Sequence, residues 1–172
     1  MELYLIRHGI AAERGTYADD DQRPLTATGE RRSQRVAQRL LALGLHFDLL
    51  QSSPLVRARQ TAVILQQEGL ASQVAIAPEL SPEGNLTDWL QRLPSSLPSD
   101  QQWAIVGHQP DLGLWAEQLV WGTAQDKLIL KKAGLIGLQF ASDRPAIGAG
   151  SLFWLTPPRL LLWEPLNPFA GE

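Results

Sequence analysis

There is no cysteine in the 172-residue sequence, so neither a disulfide framework nor a thiolate metal site is open to it. Positive charge is not in excess either. Fifteen Lys and Arg stand against 18 Asp and Glu, a net charge of −3, and this lacks the basic balance of a nucleic-acid binder. No apolar run reaches the roughly 20 residues of a membrane span. The first residues show none of the basic region, apolar run and small-residue cleavage site of a secretory signal. A cytoplasmic protein is expected, with no nucleic-acid or membrane partner. Repeats and low-complexity tracts are missing too. What remains is an ordinary globular composition, 44% hydrophobic and 19% charged. One domain over residues 1–172, with a sizeable core, is expected from the length.

The stretch "LYLIRHGIAAE", residues 3–13, changes character abruptly. A run fit for a buried strand (2–7) ends on Arg7, His8 and Gly9, and a polar loop follows to residue 24. Thr26 suits the N-cap of a helix reaching about Leu43, with Val36, Leu40 and Leu43 on one face and Gly44 as its stop. A short strand is expected over 48–51. A second helix is expected from Ser53-Pro54, Ser as cap and Pro at the first helical position, to about Gln67. A third strand over 74–77, a turn-rich loop over 78–84, a short helix over 86–93 and a polar connector over 94–100 follow. Then come a fourth strand over 103–107 and a helix opened by Pro110. Alternating strands and helices imply a parallel sheet with helices on both faces. After residue 125 the pattern changes. "DKLILKKAGLIGLQF" and "GSLFWLT" read as consecutive strands, an antiparallel edge on the sheet. The Pro-rich tail after Pro157 has no assigned place.

Ligands in open α/β sheets bind beyond the carboxyl ends of the strands. Arg7 and His8 follow the first strand, "SSPLVRARQTA" (52–62) the second and "GHQPDL" (107–112) the fourth. Two of the three histidines, His8 and His108, thus fall at equivalent strand ends. Two helix N-termini open beside them, and free N–H groups there favour an anion. Arg7 and Arg57 add planar forks that match phosphate oxygens. This set suits phosphoryl transfer without a metal or other cofactor. Arginines neutralise a dianionic phosphoryl group, and a neutral imidazole attacks it to give a covalent phosphohistidine that water hydrolyses. His46 has no partner motif and is assigned a structural place.

These residues resemble the histidine phosphatase superfamily, and within it the SixA-type phosphohistidine phosphatases. The resemblance rests on "LYLIRHGIA" (3–11), "RPLTATG" (23–29), "SSPLVRARQTA", "PELSPEGN" (78–85) and "IVGHQPDLG" (105–113), with a weaker echo in "GSLFWLTPPRL" (150–160). It implies a three-layer α/β/α sandwich of the phosphoglycerate-mutase-like kind, its mostly parallel sheet ending in an antiparallel C-terminal edge. It implies His8 as the phosphate acceptor, Arg7 and Arg57 as phosphate ligands, and His108 completing the pocket. Arg23 becomes an accessory phosphate or substrate contact, Gln109 a backbone N–H donor, and Gly9 the backbone that fixes the tautomer of His8. Arg59 points elsewhere on its helix.

Larger relatives carry insertions that cover the site and a carboxylic acid that protonates an alcohol leaving group. This chain has no such insertion, and its acids in that region are Glu79, the better candidate general acid, and Glu83. Imidazole leaves far more readily than an alkoxide. The expected substrate is therefore a phosphohistidine on a phosphotransfer domain or phosphocarrier of a signalling relay. Phosphate or vanadate should also occupy the site. The runner-up is a broad-specificity phosphomonoesterase on the same residues, and a catalytically silent phosphoprotein-binding module stands behind it.

Overall fold

The computed structural model describes residues 1–93 and 100–162. The chain opens with β1 (Glu2–Arg7), then α1 (Ala27–Ala42), β2 (Leu49–Ser52), α2 (Val56–Gln67) and the two-residue β3 (Ala75–Ile76). It continues through α3 (Leu86–Arg92), β4 (Gln102–Gly107), α4 (Asp111–Trp121), β5 (Leu135–Phe140), β6 (Gly150–Thr156) and α5 (Pro158–Leu161). The six strands form one sheet in the order β3-β2-β4-β1-β5-β6. The first four are mutually parallel, while β5 runs antiparallel to β1 and β6 antiparallel to β5. This is the mixed α/β sheet, with its antiparallel C-terminal edge, that the sequence implied.

β1 is central, and Leu3, Tyr4, Leu5 and Ile6 are all buried, as a strand covered on both faces requires. Alternate side chains feed two cores. Leu3 and Leu5 pack with Trp89 of α3, Trp103 of β4 and Trp115 of α4. Tyr4 and Ile6 pack with Val36 and Leu40 of α1 and with Ala58 and Leu65 of α2. Thr26 caps α1 as expected, its Oγ1 accepting from Gly29 N at 3.0 Å. Gly44 follows the helix at φ +86°, a conformation that suits glycine.

Three expectations need correcting. α2 starts at Val56, two residues later than Ser53-Pro54 implied, and no side chain caps it. Ser53 accepts from Leu55 N at 3.3 Å, but its hydroxyl is also committed to His108. The long strand read from residue 126 is real only over Leu135–Phe140. The preceding backbone hydrogen bonds elsewhere: the N–H groups of Gln125, Lys127 and Leu128 go to the buried carboxylate of Glu117. Glu117 is fully buried, and these donors hold its carboxyl below the usual range despite desolvation. Finally, Pro158–Leu161, in the segment without an assigned place, forms the short α5. Most of the 94–100 connector and the tail from residue 163 lie outside the described residues.

Candidate active site

Sheet register brings the two histidines together. Arg7 pairs with Gly107 across β1 and β4, so His8 and His108 are the next residues on adjacent strands. Their rings lie 5.2 Å apart, centre to centre. His8 N donates to Gly107 O at 3.1 Å. On the other side of β4, Ser52 pairs with Val106, and Ser53 N donates to Val106 O at 2.9 Å. Ser53 Oγ is thereby placed 2.8 Å from His108 Nε2.

His8 Nδ1 lies 2.7 Å from its neighbour's carbonyl, Gly9 O. A carbonyl only accepts, so Nδ1 carries the proton and Nε2 keeps the lone pair. Gly9 is held in turn, since its N–H donates to Thr61 Oγ1 and Thr61 donates to Arg57 O at 2.7 Å. The threonine in "RARQTA" therefore links the loop after β1 to α2. Gly29 serves the same loop. A Cβ there would stand 1.9 Å from Ile10 O, so only glycine lets α1 lie against this backbone.

A cavity of about 570 Å³ opens over the strand ends. Arg7, His8, Arg23, Arg57, Glu83, His108 and Gln109, all singled out from sequence, line it. Burial, then the His108 charge, then Arg57 and Arg7 push the His8 imidazole down from 6.5 to about 2, against the Gly9 hydrogen bond that raises it. His108 is pushed down to about 3 by burial and then by Arg57 and Arg7. Both rings are neutral at physiological pH. The cationic surroundings are those of an anion site, and an oxyanion bound there would reverse the sign of their influence.

Each guanidinium has distinct anchors. Arg7 Nη1 donates to Leu130 O at 2.8 Å and Arg57 Nη1 to Asp20 O at 2.8 Å. The Nε groups of both are buried without a protein partner, donors that an anion could satisfy. Arg23 is more fully engaged, with Nε 2.6 Å from Asp20 Oδ1 and Nη1 2.6 Å from Ala12 O.

Glu79 is the residue that the structure does not bring in. It does not line the cavity. Its nearly buried carboxylate pairs with Arg92 Nε at 2.5 Å, which ties the turn before α3 to that helix. Gln109 also acts through atoms other than the backbone N–H expected of it. Its side chain donates to Leu128 O at 3.0 Å and accepts from Leu130 N at 3.3 Å, fixing the segment whose carbonyl holds Arg7. Arg59 is exposed, away from the cluster.

Three lining or bracing residues went unread in the sequence. Asp20, within the acidic run 19–21, bridges Arg23 and Arg57 and is held below its ordinary range by the Arg23 hydrogen bond. Asp111 begins α4, three residues past His108, and lines the cavity. Burial raises its carboxyl, while backbone N–H groups of Glu83 and of Asp111 itself counteract this. Lys132 reaches the cavity from the segment before β5, and burial and then Arg7 lower its ammonium. Among the described residues, no group of three or more His, Asp or Glu could hold a metal ion.

The comparisons with known proteins point to one family. Residues 3–103 match the model of the histidine phosphatase superfamily (branch 1), a segment that ends before His108. An uncharacterised protein of Picosynechococcus sp. is 49% identical over 166 residues, covering 94% of this chain and 99% of that one. The phosphohistidine phosphatase SixA of Escherichia coli K12 is 30% identical over 129 residues, 71% of this chain and 76% of its own. A solved structure of the protein histidine phosphatase SixA complexed with tungstate superposes with a TM-score of 0.79 at 25% identity, covering 94% of this chain and 99% of that one. The chain therefore belongs to the histidine phosphatase superfamily and is an enzyme of the phosphate-ester hydrolase class.

Proposed function

We propose that the enzyme is a phosphohistidine phosphatase, removing phosphate from a histidine displayed on a phosphotransfer domain or phosphocarrier protein. The observation that carries the mechanism is the tautomer of His8: Nδ1 is committed to Gly9 O, so Nε2 is free to attack. Arg7 and Arg57 hold the phosphoryl oxygens, and their unpartnered Nε groups supply donors for them. His8 Nε2 forms a bond to phosphorus as the P–N bond to the substrate imidazole breaks, and that imidazole, already protonated by solvent on its other ring nitrogen, leaves neutral. Water then attacks the phosphorus of phospho-His8, releasing inorganic phosphate and restoring the neutral ring. His108, braced by Ser53, stabilises the transferring group from the far side. Arg23 and Asp20 set the position of Arg57 as well as lining or bordering the site.

The similarity to SixA supports the substrate, and the existence of a SixA complex with tungstate supports an oxyanion ligand for this enzyme, phosphate and vanadate included. A histidine phosphorylated in a signalling relay is made and consumed in the cytoplasm, where we place the enzyme. Asp111 favours a second reading, a broad phosphomonoesterase. A cavity carboxyl with a raised pKa can protonate an alkoxide.

The deciding experiment compares kcat/KM for a phosphohistidine-bearing phosphotransfer domain, an aryl phosphate and an alkyl phosphate. The domain should be turned over fastest, the aryl ester next and the alkyl ester slowest. A sugar phosphate cleaved far faster than the domain would give the site to the phosphomonoesterase reading.

A further inference from the structure

A second cavity, about 770 Å³, lies beside the first, and Arg7 and Lys132 line both. It runs between the segment before β5, the end of β6, and α5. Its floor is aliphatic, with Ile129 62% and Leu155 44% exposed. Its charged residues are all basic: Arg7, Arg32, Lys131, Lys132 and Arg159. This concentration stands out on a chain whose net charge is −3. Among the described lining residues none is acidic and none is aromatic.

Each feature narrows the occupant. An apolar floor with exposed isoleucine and leucine gains by covering with apolar side chains. A basic rim steers an anionic partner and fixes its orientation. Without aromatic faces among its described lining residues the groove offers bases nothing there to stack on, so single-stranded nucleic acid fits it poorly. The shared Arg7 and Lys132 make the groove continuous with the phosphate pocket. A surface seated in one presents its nearest side chain to the other.

We propose that this groove is the docking surface for the protein substrate: a protein face carrying an aliphatic ridge flanked by Asp and Glu, with the phosphohistidine at the ridge's end. The inference rests on the phosphohistidine reading and adds where the substrate binds and what its surface must carry. The phosphoryl group enters between Arg7 and Arg57, while the flanking carboxylates meet Lys131 and Arg159. Lys132 stands at the junction.

The test is a triple variant, Ile129→Asn with Lys131→Gln and Arg159→Gln, in exposed positions outside the phosphate pocket. Its kinetics are measured on an acidic histidine-phosphotransfer domain phosphorylated with phosphoramidate, and on free phosphohistidine. KM for the domain should rise by about tenfold with kcat held, the scale of losing two rim charges and an apolar contact. Turnover of free phosphohistidine should stay within about twofold of wild type, since no rate-determining contact is removed. Added salt should raise the wild-type KM for the domain more steeply than that for free phosphohistidine, whose contacts are with the buried pocket. A domain KM unaltered in the variant overturns the docking surface while the phosphohistidine reading stands. A shift of the variant's oligomeric state at unaltered KM assigns the groove to a second copy and likewise overturns it. If wild type hydrolyses neither probe, the phosphohistidine reading is what fails.

Discussion

The floor of the phosphate pocket and its rim come from different parts of the chain. The floor is made of residues at strand ends or in the first turn of α2: Arg7, His8, Arg57 and His108. The two imidazoles and Arg57 are almost fully buried, and every floor residue is anchored to backbone or to a neighbouring hydroxyl. The rim is made of loop and helix-start residues, among them Glu13, Arg14, Glu83, Asp111 and Lys132, most of them exposed. Glu83 even takes a positive φ of 64°, a conformation set by its loop and not by the sheet. Floor geometry follows from sheet register, so it cannot vary without disturbing the core. Rim residues can change with little cost to the fold. The chemistry belongs to the floor, and the choice among phosphorylated substrates belongs to the rim and the neighbouring groove.

The largest expected effect comes from the floor. His8→Ala should lower turnover of every substrate on the order of 10⁴-fold or more, the scale of losing a covalent nucleophile. Far-ultraviolet circular dichroism should show the fold retained, and wild-type-like turnover would remove His8 from the mechanism. A rim change should be selective instead. Asp111→Asn should slow an alkyl phosphate by about 10²-fold, the scale of general-acid help to an alkoxide. It should leave the phosphohistidine domain within about threefold, because imidazole needs little such help. Equal losses on both would erase the distinction between floor and rim.

The two floor histidines also leave a pH signature. Their folded pKa values, about 2 and about 3, lie below the ordinary 6.5. As pH falls through 6.5 the unfolded chain takes up protons that the folded chain refuses. Stability therefore is full above pH 6.5 and declines as pH drops towards about 3. Each imidazole contributes up to about 1.4 kcal/mol per pH unit within that window. Thermal melts in a phosphate-free buffer should show this slope, and His108→Ala should flatten it. An unchanged slope in that variant would mean that His108 titrates normally. The smallest effect is expected at Glu79. Its carboxylate holds Arg92 outside the cavity, so Glu79→Gln should leave kcat/KM for both ester and phosphohistidine within about twofold, as for residues that touch no substrate. Its loss should appear in the melting temperature, and a selective loss on alkyl phosphate would restore it as the acid.

The same division explains what could be read before the structure. Arg7, His8, Arg57 and His108 sit at strand ends and in one motif. Strands and motif are both local in sequence, so alternation and order were enough to place them. Glu79 was misplaced because "PEL" gives the acid and its turn but not the direction of the side chain, which Arg92 decides. Asp111 and Lys132 matter through contacts made across the fold, and Asp20, besides its local pair with Arg23, through Arg57, which is 37 residues away. The segment 126–134 looked like a strand because its aliphatic run, Leu128 to Leu130, leads into the strand residues with no long helix between. Its backbone donors Lys127, Leu128 and Leu130 go instead to Glu117 and Gln109, 10 to 21 residues earlier in the chain. Such long-range competition for N–H groups leaves no periodic trace.

Covalent phosphate on His8 is tested most directly by acid-free denaturing quench of the enzyme during turnover of a ³²P-labelled phosphohistidine domain, with EDTA present throughout. Label should appear on the enzyme, map to the peptide containing His8, survive base and be lost in acid, and it should be missing from His8→Ala. Turnover without any enzyme-bound label in a rapid quench, or turnover that stops in EDTA and resumes with magnesium or zinc, would contradict a metal-free double displacement through His8.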